Sequence, residues 1–272
     1  MRVISEQLAA TKPQRVQERQ KRRRIQKVRA ICLPVLGIAI VFIMWQLYVT
    51  ISGVPLWQLP PPGNVLSAVF GNFSLYLPHF LRTFMTIGVG WAVACSIGIT
   101  LAALMSNSKL LSITLTPYIN LLCVLPIIAV VPMMYVLWGA SFRVFLIAII
   151  MQSFAINVLN SITGFLNVPL LRTELMDSLR ATRVQTFFKS TFPSSLSNVF
   201  TGMKMSSIFA TLTCIGAEMT GSKIGLGAFL LTCKTYGRTD QMLGSLLLIA
   251  VIGVFFYMLM DIIQGLFIKW RE

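Results

Sequence analysis

Six apolar runs of membrane-span length, separated by short polar intervals, constrain this chain more than any other feature. They cover about residues 31–51, 79–105, 110–138, 144–165, 198–219 and 241–267. A bilayer core about 30 Å thick takes roughly twenty apolar residues per helix. Backbone polar groups can be satisfied there only in helices or in a closed barrel. Only 11% of the 272 residues are charged, against about a quarter in a soluble domain. The expected class is an all-α membrane protein with six transmembrane helices.

The basic residues orient those helices. Residues 1–30 hold ten Lys or Arg, and 18 of the chain's 23 fall on this tail, on the turn at Lys109, on the stretch 167–205 or at the C-terminus. The other five are Arg82, Arg143, Lys223, Lys234 and Arg238. The positive-inside rule then predicts a multi-pass protein with both termini in the cytoplasm. The net charge of +15 is thus topological, and no nucleic-acid partner is expected. The tail can hold anionic lipid of the bilayer. The expected organisation is a basic cytoplasmic tail (1–30), a first transmembrane helix (31–51), an external Pro-rich elbow with a short amphipathic helix (52–76), a core (77–268) and a cytoplasmic C-terminus (269–272).

Several residues break the apolar pattern. The run Leu59-Pro60-Pro61-Pro62-Gly63-Asn64 predicts an extended elbow. Pro117, Pro126 and Pro132 interrupt the third zone. Such breaks are tolerated in membranes where they are buried in protein or line a cavity, so this zone reads as lining a pathway, with a kinked structural helix as the alternative. Gln152, Asn157 and Asn160 need partners among other helices. His79 is the single histidine and has no neighbouring carboxylate, so no metal site is expected. The five cysteines form no C-x-x-C pair and read as small buried hydrophobes.

The stretch from Asn167 to Pro193 is polar yet has helical spacing. Leu171, Leu175 and Leu179 share one face, with Glu174, Asp177 and Arg180 off it. Thr182 and Gln185 form a Thr-x-x-Gln capping box that restarts a helix. Val184, Phe187 and Phe188 give that helix an apolar face, and Pro193 is expected to stop it. Two short amphipathic helices at a membrane face either rest on lipid headgroups or touch a partner.

Nothing in the chain supplies energy. Ion-coupled carriers place carboxylates or histidine at mid-membrane depth, and here only Glu218 and Asp261 lie in or near spans. The segment Gly221-Ser222-Lys223-Ile224-Gly225-Leu226-Gly227 lacks the G-x-x-x-x-G-K-[ST] order and is expected to be a flexible turn. No nucleophile–base set is evident, so the chain is not expected to be an enzyme. A pore-like protein without an engine points to a separate engine docked on the 167–193 loop.

That loop, with the following Pro-Ser-Ser-Leu-Ser-Asn-Val-Phe-Thr-Gly-Met-Lys, resembles the coupling segment of ABC importer permeases. Registered on Pro193, Glu174-Leu175-Met176 stands where the family has Glu-Ala-Ala, and Arg180 stands where it has glycine. Further matches are Thr201-Gly202-Met203-Lys204, Ala217-Glu218-Met219-Thr220-Gly221, Gly225-Leu226-Gly227, Lys269-Trp270, Leu59-Pro60-Pro61-Pro62, Leu125-Pro126 and Val131-Pro132. Together they resemble the nitrate/sulfonate/taurine/bicarbonate branch of type I permeases, over about residues 55–271.

The resemblance implies a type I ABC importer fold in a bacterial inner membrane. It implies cytoplasmic ABC ATPase subunits that carry ATP and Mg, with no cofactor on this chain. It further implies an extracytoplasmic solute-binding protein and a second permease subunit, expected to be another copy of this chain. Glu174, Asp177, Arg180 and Thr182 become candidates for coupling to the ATPase, and Leu125, Pro126, Met133, Met134, Met205 and Thr211 become candidates for the solute pathway, with plain helix packing as the alternative for each of the latter. Leu171, Leu175 and Leu179 are expected to pack the loop on its own spans. Glu218 either caps a neighbouring helix or faces the binding protein. The implied solute is a small anion of that class, with a thiamine-pyrimidine precursor as the alternative. A membrane scaffold or sensor that does not transport is the rival of another class. Loss of the family's small residues implies an adapted ATPase groove or weaker coupling.

Overall fold

A computed structural model describes residues 32–33, 36–139 and 141–268. The basic tail and Lys269-Trp270-Arg271 lie outside the described residues. The chain divides into two compact units between Asn64 and Val65. The first contains α1 (Leu36–Ser52), a shorter apolar helix.

Helix α2 (Pro62–Gly71) begins on the last proline of the Pro-run rather than after an extended elbow. Proline suits the first helical position, because its missing N–H would have had no partner there. The next helix, α3 (Phe73–Asn107), starts six residues before its expected start and carries Pro78 near its beginning.

The third apolar zone is two helices, α4 (Lys109–Val124) and α5 (Ile127–Trp138), bent by 92° at the break. Ser108 starts α4 by accepting from the Leu111 N–H. The break falls at Leu125-Pro126, while Pro117 and Pro132 lie inside their helices. Gly139, at φ 72°, ends α5 in the left-handed region that glycine tolerates.

Helix α6 (Phe142–Leu166) leads to α7 (Leu170–Ser178) and then to the single turn α8 (Arg183–Thr186). A π-helical turn, Phe187–Thr191, joins α8 to α9 (Phe192–Gly221). Pro193 therefore does not end the helix. The Phe192 N–H bonds back to the Phe187 carbonyl, one residue farther than in an α-helix. That wider turn takes proline, which lacks an N–H, without stopping the rod. Arg183 to Gly221 runs as one 39-residue helix, about 58 Å at ~1.5 Å per residue. Next come α10 (Leu226–Thr235) and α11 (Thr239–Phe267).

Four of these helices are long and apolar enough to cross a membrane, or five if α4–α5 counts as one. Among the described residues there is no strand.

Helices α3, α6 and α9 form the centre, and small residues let them approach. A Cβ on Gly202 of α9 would lie 2.8 Å from the Asn160 Cβ, and one on Gly164 of α6 would lie 2.6 Å from the Asn198 Cβ. In hydrocarbon such close packing and interhelical hydrogen bonds replace the hydrophobic effect as glue. Asn157, fully buried, donates to Cys95 Sγ of α3, and Trp91 Nε1 donates to the Met203 carbonyl of α9. Gln152 is likewise buried, while Asn160 donates to Ile156 of its own helix. Cys95, Cys214 and Cys233 are buried as expected, Cys123 is half-buried and Cys32 is exposed.

Candidate functional site

The loop around α7 stands off the bundle. No residue of α7 is buried. Leu171, Leu175 and Leu179 are 78%, 58% and 68% exposed, so they do not pack the loop on its own spans. The stripe is a real helical face, but it points away from the bundle. Val184 and Phe188 are exposed too, and of the expected apolar face only Phe187 is buried. Its ring meets Phe165 edge-on at 5.3 Å between centroids, which seats the π-turn on α6.

Glu174 and Asp177 are exposed along α7, and their carbonyls accept from Ser178 Oγ and the Arg180 N–H. Arg180 has φ 51°, the one left-handed residue other than glycine among those described. The backbone thus keeps a glycine conformation where the chain carries a long cation. Thr182 accepts from the Gln185 N–H, and Gln185 Oε1 accepts from the Thr182 N–H, so the capping box is complete. Arg172 adds a hydrogen bond from Nη1 to Ser194 Oγ at 2.5 Å, tying α7 to the start of α9.

At the opposite end of the rod, Glu218 is 2% exposed and does not face outward. Its Oε2 accepts from the Gly227 N–H at 2.9 Å, and both oxygens lie 2.9 Å from Thr83 Oγ1 of α3. Thr83 Oγ1 accepts in turn from the Leu226 N–H at 2.8 Å, and His79 Nδ1 lies 3.1 Å from the Gly225 nitrogen. Three successive N–H groups at the start of α10 therefore meet side chains of two other helices. These are groups a helix start leaves without intrahelical partners. The site also explains the glycines. A Cβ on Gly225, at φ 142°, would lie 2.3 Å from the Glu218 carboxyl carbon, and one on Gly227 would lie 2.7 Å from the Ile215 carbonyl. What the sequence suggests is a flexible turn is a tightly held helix cap.

The same end of α9 holds α5. Tyr135 Oη donates to the Ala217 carbonyl at 2.6 Å, and its ring occupies the space a Cβ on Gly221 would need. The six pathway candidates are spread around these elements. Leu125 and Pro126 form the 92° bend, Met133 and Met205 are exposed, and Met134 and Thr211 are buried. Thr211 borders an apolar groove of about 370 Å³ between α9 and α11. Among the described residues, no group of three His, Cys, Asp or Glu gathers as metal ligands.

The cap by His79 and Thr83 was hidden in the sequence, although their i, i+4 spacing places them on one face of α3. A second unmarked pair joins α9 to α11: Lys204 Nζ donates to Asp261 Oδ1.

Residues 94–272 match the family described as binding-protein-dependent transport system inner membrane component. A bicarbonate transport system permease protein of Synechocystis is 26% identical over 235 residues, 81% of this chain and 83% of that protein. A formylaminopyrimidine transport permease protein of Halalkalibacterium halodurans is 23% identical over 241 residues, 88% of this chain and 96% of that protein. Among solved structures, a chain of the methionine ABC transporter MetNI in an inward-facing conformation superposes with a TM-score of 0.63 at 18% identity. The superposition covers 72% of this chain and 97% of that one.

Proposed function

The chain belongs to the family of binding-protein-dependent transport system inner membrane components, and from that premise we propose how it couples an ATPase to solute import. As a permease subunit it forms the membrane part of an ATP-driven importer and is not itself catalytic, since hydrolysis resides on the partner ATPase.

The loop of α7 and α8 is the ATPase dock. The observation that carries this is the exposure of Leu171 and Leu175 on a helix with no buried residue, and of Leu179 at its C-cap. A contiguous exposed apolar face rimmed by polar residues marks an interaction site. Glu174, Asp177, Arg180 and Thr182 supply its polar rim. ATP and Mg bind on the ATPase.

With α1 counted, and α4–α5 taken as one span, six helices cross the inner membrane and both termini lie in the cytoplasm. The α10 end then faces the solute-binding protein. A second copy of this chain completes the pathway, bordered by Leu125, Pro126, Met133, Met134, Met205 and Thr211. The solute is a small anion of the nitrate, sulfonate, taurine and bicarbonate class, which the bicarbonate relative supports. The formylaminopyrimidine relative favours a second reading, a small pyrimidine.

The test is purification of the tagged chain from native membranes in mild detergent. An ATPase subunit recovered at about one to one supports the dock, and its hydrolysis can then be screened against binding proteins for the solute. A chain that comes alone, even after crosslinking at 174–189, overturns it in favour of a membrane scaffold.

A further inference from the structure

We propose that Glu218 is a positioning residue that fastens α10 to the rod, so that movement entering at the coupling loop reaches α10 directly. The inference rests on the function proposed above for what drives the rod, while the fastening itself is read from geometry.

A continuous helix from Arg183 to Gly221 starts beside the exposed α7 loop and ends at Glu218. At that end Ala217 and Gly221 hold Tyr135 of α5, and Glu218, on the next face, holds α10. The carboxylate accepts from Gly227 N–H, Thr83 Oγ1 and, at 3.6 Å, Cys214 Sγ. No Lys or Arg pairs with it within ion-pair distance among the described residues. A buried carboxylate in an apolar helix is costly unless its acceptors are filled, and it usually marks function.

Here its donors come from three elements, α3, α9 and α10. Packing alone would be served by a leucine of similar size. The glycines at 225 and 227 are required because the carboxylate and the rod's backbone occupy the space of any side chain there. Without the carboxylate the Gly227 N–H has no acceptor, and α10 is left to its apolar contacts. The rod can then move without carrying α10.

Cys233 of α10 reports this. It is buried against α11, with Sγ 3.8 Å from Gln241 Oε1, and reacts with a thiol reagent only when α10 lifts. The experiment uses the complete transporter, this chain with its co-purifying ATPase, in nanodiscs, with Cys32, Cys95 and Cys123 replaced by Ala and Cys214 by Ser, which keeps a donor to Glu218. Glu218→Leu and Glu218→Gln are compared by the rate of Cys233 modification with a membrane-impermeant maleimide and by ATP hydrolysis.

Glu218→Leu is expected to raise the Cys233 rate by about tenfold, the effect of one lost buried hydrogen bond on a local opening equilibrium. Glu218→Gln keeps an acceptor for Gly227 and is expected to stay within about threefold of the parent. Hydrolysis persists in both, because the ATPase dock is untouched. Equal protection of Cys233 in the Leu and Gln variants overturns the proposal, since packing then holds α10. Loss of hydrolysis along with protection marks general damage and also overturns it. If Glu218→Leu does not assemble, Glu218→Gln decides against Glu218→Ala, with the same order expected and equality again overturning it. A chain that yields no ATPase defeats the proposed function, while the Cys233 rates measured on the chain alone still judge the fastening.

Discussion

Lys204 of α9 and Asp261 of α11 form the ion pair that ties the rod to the last helix. The two partners sit in different surroundings, because the Lys204 side chain is 13% exposed and that of Asp261 is 66% exposed. Removing one is therefore not equivalent to removing the other. Asp261→Ala leaves a largely buried ammonium whose remaining partner among the described residues is the Tyr257 ring, 5.7 Å away. Lys204→Ala leaves a carboxylate that water can serve. Asp261→Ala should lower stability by on the order of 1–2 kcal/mol, and Lys204→Ala by less, with solvent screening keeping both small. Thermal unfolding in detergent, run as a double-mutant cycle, checks the order, and a coupling energy near zero would refute the tie.

Arg180 occupies left-handed backbone at φ 51°. A Cβ there costs roughly 1–2 kcal/mol, which glycine avoids. Arg180→Gly should thus stabilise the α7–α8 turn by about 1 kcal/mol, seen as slower amide exchange over 177–183. The same variant removes the cation from the proposed dock, and Arg180→Glu reverses it. If Arg180 meets the ATPase, Glu in its place should lower ATPase recovery or uncouple hydrolysis from uptake, whereas Gly restores the family's residue and keeps coupling. Unchanged recovery and uptake in Arg180→Glu would take Arg180 off the docking surface.

The capping box at Thr182 and Gln185 is local, so its loss should be local. Thr182→Ala removes the acceptor for the Gln185 N–H and should cost about 1 kcal/mol, as N-cap deletions do. The fraying should appear as faster amide exchange in 183–186, with the centre of α9 unaffected. Thr182→Ser should behave as the parent, because only the hydroxyl is used.

Local chemistry was legible in the sequence and long-range partnership was not. The capping box and the α7 stripe follow from residues a few positions apart and are present, while of the three prolines expected to interrupt the third zone only Pro126 falls at a break. Pro193 misled because proline's rule concerns the α-helix, and a π-turn supplies another way past it. The leucines of α7 misled because periodicity identifies a face without saying what it meets. Glu218 could be recognised as an isolated carboxylate in an apolar run. Its partners lie on other helices: Thr83 is 135 residues away, where no spacing rule reaches, and Gly227, nine residues on, lies across the break between α9 and α10. The small residues at Gly202, Gly225 and Gly227 matched the family pattern before the fold gave them a reason.

Glycine substitutions separate that reason from generic helix propensity. Alanine is favoured over glycine in a helix interior by about 1 kcal/mol, so a Gly→Ala change in open space should be neutral or stabilising. Gly265 of α11 has nothing within 4 Å of a would-be Cβ. Gly202 of α9 would place its Cβ 2.8 Å from the Asn160 Cβ and 3.4 Å from the Asn157 carbonyl. Neither neighbour is the free end of a flexible chain, so α6 and α9 must separate to make room. Overpacking of this kind costs about 1–3 kcal/mol. Gly202→Ala should therefore lower the thermal midpoint in detergent by several degrees, while Gly265→Ala leaves it level or raises it slightly. Equal midpoints would mean that α6 and α9 are not in the close contact described, and the path from the α7–α8 loop to α10 would lose its stiff centre.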